Sequence, residues 1–296
     1  MSTTTQTISQ GFRARWMRFR KTYRHLTGFK AGFGITTVAI LLVMGLFSPW
    51  LAPHSPNHQD LMVAMLPPDW TGPHVLGTDH VGRDILSRII YGSRVSLIIA
   101  GAVAVFASLT GVFMGVVAGY FGGRIDAAIQ KLVEIFWSFP PLMLAIAIVA
   151  FVGQGLSIVI IALTAQRWIP YCRVTRAETM ALREREFILS ARTLGASDAF
   201  IIRHHILPNV MLSIIVMTSF AMANAIIAES SLSFLGLGVP PAIPTWGGML
   251  SDARSYISTA WWMALFPGLA IFVTVLGMNL LGDALRNQFD PKLKSH

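Results

Sequence analysis

Charge is scarce in this sequence. Only 12% of its 296 residues are Asp, Glu, Lys or Arg, while 54% are apolar, and the mean hydropathy is +0.60. A soluble domain carries about twice that share of charge, so a single water-soluble domain is excluded. One cysteine, Cys172, leaves nothing to pair with and excludes a disulfide scaffold. Polarity is too low for a disordered chain. Chemistry-bearing motifs are missing too. There is no G-x-x-x-x-G-K-[ST] phosphate loop and no His-Glu-x-x-His pair, and Gly236-Leu237-Gly238 sits in apolar sequence without a strand–helix context. No serine, histidine and acid stand at a nucleophile–base spacing, so no catalytic residue is expected. His54 and His58 have helical ligand spacing, but Pro53 and Pro56 oppose a helix there. His204 and His205 are adjacent and would point about 100° apart on a helix. No metal site or bound cofactor is expected.

An all-α polytopic membrane protein remains. The net charge of +9 would attract nucleic acid if it formed a patch, but its distribution argues against that partner. Residues 1–30 hold seven basic side chains (Arg13, Arg15, Arg18, Arg20, Lys21, Arg24, Lys30) and no acid, and an apolar run follows. Basic residues before an apolar span mark a cytoplasmic flank. The run 31–51 suits a helix crossing a hydrocarbon core of about 30 Å. Its length and the Ser48-Pro49-Trp50-Leu51-Ala52-Pro53 ending make a poor signal peptide.

Further uncharged windows lie between Arg94 and Arg124, Glu134 and Arg167, Arg203 and Glu229, and Arg254 and Asp283. The second of these is too long for one helix and short for two. Gly153-Gln154-Gly155 divides it, predicting spans over 132–152 and 156–172 with Arg167 snorkelling toward the cytoplasmic surface. Parity supports the division. Six spans put nineteen basic residues inside against four outside, whereas five spans give ten against thirteen. The positive-inside bias therefore favours six transmembrane helices with both termini cytoplasmic. The expected organisation is a basic tail (1–30), a first helix with an extracytoplasmic segment (31–93), a transmembrane domain (94–283) and a second tail (284–296).

Gly111, Gly115 and Gly119 form a strip along the second span where another helix backbone can come close. Packing inside this chain is its simplest use. The 14 methionines and 18 phenylalanines read as core and lipid-facing bulk.

The long polar stretch on the cytoplasmic side, 173–209, reads as helix, break, helix. Residues 178–192 are rich in helix formers, and Gly195 can take the left-handed conformation that ends a helix. Ser197 or Asp198 can cap the next helix, which Pro208 is expected to close.

Phe187-Ile188-Leu189-Ser190-Ala191-Arg192-Thr193-Leu194-Gly195-Ala196-Ser197, followed by His205-Ile206-Leu207-Pro208-Asn209, resembles the Glu-Ala-Ala loop of ABC importer permeases. Ala191, Gly195, Leu207 and Pro208 match that pattern. Leu189, Ser190 and His205 stand where the family has Glu, Ala and Ile. Leu76-Gly77-Thr78-Asp79 with Gly82-Arg83-Asp84-Ile85-Leu86-Ser87-Arg88, the run Ser231–Gly238, Trp246-Gly247, Met249–Asp252, Gly282-Asp283 and Asp290-Pro291-Lys292 resemble the C-type permease of dipeptide, oligopeptide and nickel importers, over about 30–293. The resemblance implies residence in a bacterial cytoplasmic membrane and contact with lipid. It further implies a second homologous permease, two ATP-binding subunits that use ATP and Mg, and an extracytoplasmic substrate-binding protein. Ala191, Gly195, Ala196, Ser197, Leu207 and Pro208 would form the loop that takes up ATPase motion. Asp79, Arg83, Asp84, Trp246 and Asp252 would meet the binding protein, unless they only cap helix ends and turns.

An acid at a membrane boundary is costly to bury, so Glu229 either serves the pathway or faces outer water. Asn224 and Asn279 either line the pathway or bridge helices. Peptides are the expected cargo, and nickel or another small solute is the first alternative. A self-contained secondary transporter predicts inverted repeats and charges deep in the spans, and a scaffold or sensor predicts a larger soluble domain. Neither pattern stands out.

Overall fold

The computed structural model describes residues 29–289. The basic residues up to 28, His25 among them, and the Asp290-Pro291-Lys292 ending with His296 lie outside the described residues. Among those described the chain is helical, and its one β feature is an isolated bridge between Thr78 and Asp84. The order is α1 (Phe29–Leu46), α2 (Ser48–Leu51), α3 (Ile85–Phe121), α4 (Gly123–Trp137), α5 (Pro141–Val152), α6 (Leu156–Arg183), α7 (Glu186–Thr193) and α8 (Asp198–Ile201). A π-helical turn, Ile202–Ile206, leads into α9 (Leu207–Phe234), followed by α10 (Trp246–Ala253) and α11 (Trp262–Phe289).

Among the described residues four helical runs are long and apolar enough to cross a membrane: α1, α3, the continuous run Asp198–Phe234, and α11. The expected single span over 132–152 is corrected. It is two helices, α4 and α5, meeting at 81°. Pro140 and Pro141 supply no N–H and disfavour a helical residue before them, so α4 ends at Trp137 and α5 restarts with proline in its first turn. Counted as one broken span, the pair brings the number of crossings to five. The first span is shorter than the apolar run, since Pro49 opens the separate short helix α2.

Helix α3 carries the packing. Its buried positions Ile99, Val103, Ala107, Gly111 and Gly115 recur every fourth residue, the stripe that α-helical geometry requires of a face turned inward. Ile98, Phe106, Leu109 and Phe113 stay exposed on the other side. Along the stripe α3 meets α6 at backbone distance. A Cβ at Gly111 would lie 2.3 Å from the Trp168 carbonyl oxygen, one at Gly115 2.6 Å from that of Cys172, and one at Gly119 2.6 Å from that of Arg176. The glycine strip is thus an intrachain seam, as expected. A second close approach joins α1 to α11, where a Cβ at Gly34 would come within 2.8 Å of the Gly277 oxygen. Buried apolar side chains form three successive clusters along the bundle: an outer one around Ile99, Ile226 and Trp246, a middle one around Trp168 and Ile214, and a third around Tyr120, Ile188 and Ile206.

Candidate functional site

Three places carry the residues singled out by sequence: the turn at Gly195, a cavity beside α6, and the outer segment.

The turn is built from local rules. Helix α7 ends at Thr193, and Gly195 has φ +84°, a conformation that costs a residue with a Cβ about 1–2 kcal/mol. The Ala196 N–H donates to the Ala191 carbonyl at 3.1 Å and the Gly195 N–H to that of Arg192 at 3.0 Å. This pair of bonds satisfies the last carbonyls of α7 in a Schellman turn. The Ser197 hydroxyl oxygen then accepts from the Phe200 N–H and caps α8.

Tertiary contacts hold this turn in place. Ile188, Ile201, Ile206 and Val210 are fully buried against Val116 and Tyr120 of α3, with Ala191, Ala196 and Leu207 packed on the same cluster. The Tyr120 hydroxyl donates to Asp198 at 2.6 Å, and the Arg192 guanidinium stands 5.5 Å from the centre of the Tyr120 ring. Leu194 and Leu189 remain exposed.

Two expectations change here. The first loop helix is not continuous over 178–192, because α6 ends at Arg183 and α7 begins at Glu186. Nor does Pro208 close the second helix. It lies in the first turn of α9, where the run continues through the π turn. The wider i→i+5 spacing of that turn lets a residue without an N–H enter the helix unbroken.

The cavity measures about 650 Å³ and opens between the α4–α5 break, α6 and α9. Asn224 lines it; Glu229 and Asn279 do not. Glu229 faces neither the cavity nor outer water. It is fully buried and accepts from Ser233 at 2.7 Å and Ser230 at 3.4 Å, beneath the start of α10, where Gly247 lies against Ser230. Asn279 is half-buried on α11.

Sequence reasoning missed the main polar wall of the cavity. Arg167 is the chief of its residues. Its guanidinium crosses to α9 and donates to the Asn224 carbonyl at 3.3 Å, and it forms no ion pair among the described residues. A charged group carried among apolar helices is costly unless it is paired or hydrogen-bonded, so this position is not neutral filler. Beside it, Gln166 donates through Nε2 to the Phe136 and Phe139 carbonyls at the break, and its Oε1 is buried without a partner. Pro170 lies inside α6 and has no N–H to offer the Gln166 carbonyl four residues earlier. The signal in the sequence was Gln-Arg followed three residues later by Pro, inside an apolar helix.

The outer residues form an internal brace. Asp79, Arg83, Asp84 and Trp246 are buried, and Asp252 is half-buried. Arg83 binds Asp79 at 2.5 Å and reaches Asp252 at 2.9 Å, tying the segment before α3 to α10. Asp84 caps α3 through Ser87 N at 2.8 Å and meets His74 at 3.0 Å. The Trp246 indole donates to the Ile89 carbonyl at 3.0 Å. Of the two roles expected for these residues, these contacts are those of capping and bracing. They act inward, because charged groups in a crowded segment are stable only when paired.

Known proteins are similar in sequence to this chain. The family described as "Binding-protein-dependent transport system inner membrane component" matches residues 111–295, and "N-terminal TM domain of oligopeptide transport permease C" matches residues 30–68. A glutathione transport system permease of Escherichia coli is 41% identical over 281 residues, covering 94% of this chain and 90% of its own. A di/tripeptide transport system permease of Pseudomonas aeruginosa is 40% identical over 266 residues, with 88% of each chain covered. A dipeptide transport system permease of Bacillus subtilis is 38% identical over 280 residues, covering 94% of this chain and 85% of its own. The chain belongs to the inner-membrane permease family of binding-protein-dependent transport systems, as a multi-pass component of the bacterial inner membrane.

Proposed function

We propose that this chain is one of two permeases in an ATP-driven importer of small peptides, moved by separate ATP-binding subunits that use ATP and Mg and supplied by an extracytoplasmic binding protein. The chain itself carries no catalytic residue in this reading. Six crossings follow when α6 is added to the four apolar runs and the broken α4–α5 pair. Both termini then lie in the cytoplasm with most of the basic residues. The domain limits 31–93 and 94–283 fit this arrangement, the outer segment of the first being held by the Arg83 brace.

The observation that carries the reading is the anchored turn at Gly195. A segment that passes on ATPase motion must not absorb it. This one is closed by paired backbone bonds, capped by Ser197 and seated on α3 by buried isoleucines. Ala191, Ala196 and Leu207 supply the seat and Gly195 the turn, while Pro208 belongs to the helix that receives the push. Peptide cargo is supported by the names of the relatives, which specify dipeptides, di/tripeptides and glutathione.

Gly195→Val tests the coupling role. Valine resists φ +84° because both its Cβ and its branch crowd the backbone. Uptake is expected to fall to background while membrane insertion and expression stay normal. Normal uptake at normal expression would sink the assignment. Purification of the tagged chain from its host should bring an ATP-binding subunit and a second permease with it.

A further inference from the structure

We propose that Arg167 is a specificity-determining residue of the transport pathway, receiving the carboxylate of a passing peptide in the cavity between α6, α9 and the α4–α5 break. The inference rests on the peptide-importer reading and adds to it a named contact.

Depth is the first argument. Arg167 lies eleven residues into α6, roughly 16 Å from its outer end at 1.5 Å per residue. Asn224 lies ten residues before the end of α9, roughly 15 Å from its outer end. The two outer ends are at one level, since the Gln154 amide before α6 donates to the Gly236 carbonyl after α9 at 2.7 Å. The Arg167–Asn224 contact therefore sits about halfway through a hydrocarbon core of about 30 Å.

The second argument is unused bonding capacity. A guanidinium has five N–H donors in a planar fork, and the described residues take up one, at 3.3 Å. No acid lines the cavity. An arginine fork is the side chain best shaped for two parallel bonds to a carboxylate. Its immediate neighbour does not compete as a donor. Gln166 Oε1 is a buried acceptor without a partner. The amide orientation is fixed, because its Nε2 faces two carbonyls at the break. Gln166 is thus committed to the break, and Arg167 keeps the unused donors on this wall. A volume of about 650 Å³ lies within the range of small-molecule sites. The remaining lining is largely apolar, including Trp137, Phe139 and Ile227, which gives side chains of varied shape no specific partner.

The test uses the complete importer, purified with its partners, reconstituted in vesicles and supplied with its binding protein. The probes are trialanine and its C-terminal amide, each at a concentration that saturates the binding protein. Arg167→Gln is expected to lower trialanine uptake about tenfold or more, the effect of losing a charge-assisted bond, and to leave amide uptake within about twofold. Arg167→Lys keeps the charge and should retain part of the preference for the free acid. ATPase stimulation by loaded binding protein reports assembly in both variants. Equal loss of both probes would overturn the inference and make Arg167 a helix bridge or the partner of an acid on the second permease. Unchanged uptake of both would overturn it as well. Wild-type vesicles that accumulate neither probe would instead refute the peptide reading, and the carboxylate contact would fall with it.

Discussion

Helix α6 shows two different stripes to the rest of the molecule. Trp168, Cys172, Thr175 and Thr179 turn toward α3, where Gly111, Gly115 and Gly119 bring the two backbones together. Leu163, Gln166, Arg167 and Pro170 turn the other way, toward the cavity. The first stripe has no room for a methyl group; the second encloses about 650 Å³. Both sets recur at helical spacing along one helix, so the contrast comes from what stands opposite. Across the seam is a continuous 37-residue helix lined with glycine. Across the cavity is a chain broken by two prolines and bent by 81°. Close packing fixes one side of α6, and a break in the neighbouring helix leaves space on the other.

Filling the seam should break this contrast most severely. Gly115→Leu places a side chain where a Cβ alone would lie 2.6 Å from the Cys172 carbonyl oxygen. Backbone atoms cannot rotate away, so a cost of about 3 kcal/mol or more is expected. Little folded protein should survive detergent extraction and size-exclusion chromatography. A monodisperse mutant with wild-type thermal stability would contradict the seam.

A smaller effect is expected on the open side. Gln166→Leu removes the donor that serves the Phe136 and Phe139 carbonyls at the break. Leaving such carbonyls unserved costs about 1–3 kcal/mol, less where cavity water reaches them. The melting midpoint should fall by a few degrees and transport should weaken, while the protein still assembles. No change in either measurement would show that the prolines hold the break without Gln166.

The mildest probe compares the two sides with one reagent. Cys172 is fully buried in the seam, and its thiol should resist maleimide in the folded protein. A cysteine placed by Ile227→Cys, at a 45% exposed position on the cavity wall, should react in a Cys172→Ala background. Fast labelling of native Cys172 would mean that the seam opens on the timescale of the reaction.

Much of the fold could be read in advance because it depends on local composition. Low charge and long apolar runs dictate membrane helices, since backbone groups in lipid must be satisfied within the segment. The strip Gly111–Gly119 announced a close helix contact, and Gly195 announced a left-handed helix end. The partners of Arg167 could not be read in this way. Counted along the chain it ends an apolar window, and a cation at a window's edge ordinarily reaches for water. Only the path of α9 past that level shows that its head has a backbone carbonyl and a cavity to face. The outer brace is equally hidden along the chain, because only the fold brings Arg83 and Asp252, 169 positions apart, to 2.9 Å.

By itself, then, the sequence determined the solvent of this protein, the glycine-lined close contact of one helix and the turn at Gly195, because hydrophobicity and glycine act on their immediate neighbours. Tertiary structure decided which charges are interior, where Pro208 stands in a continuous helix, and that α4 and α5 bend away from α6 to leave a cavity. Those outcomes depend on distances between segments far apart in the chain, and a pairing of buried polar groups is settled only when the helices that carry them have packed.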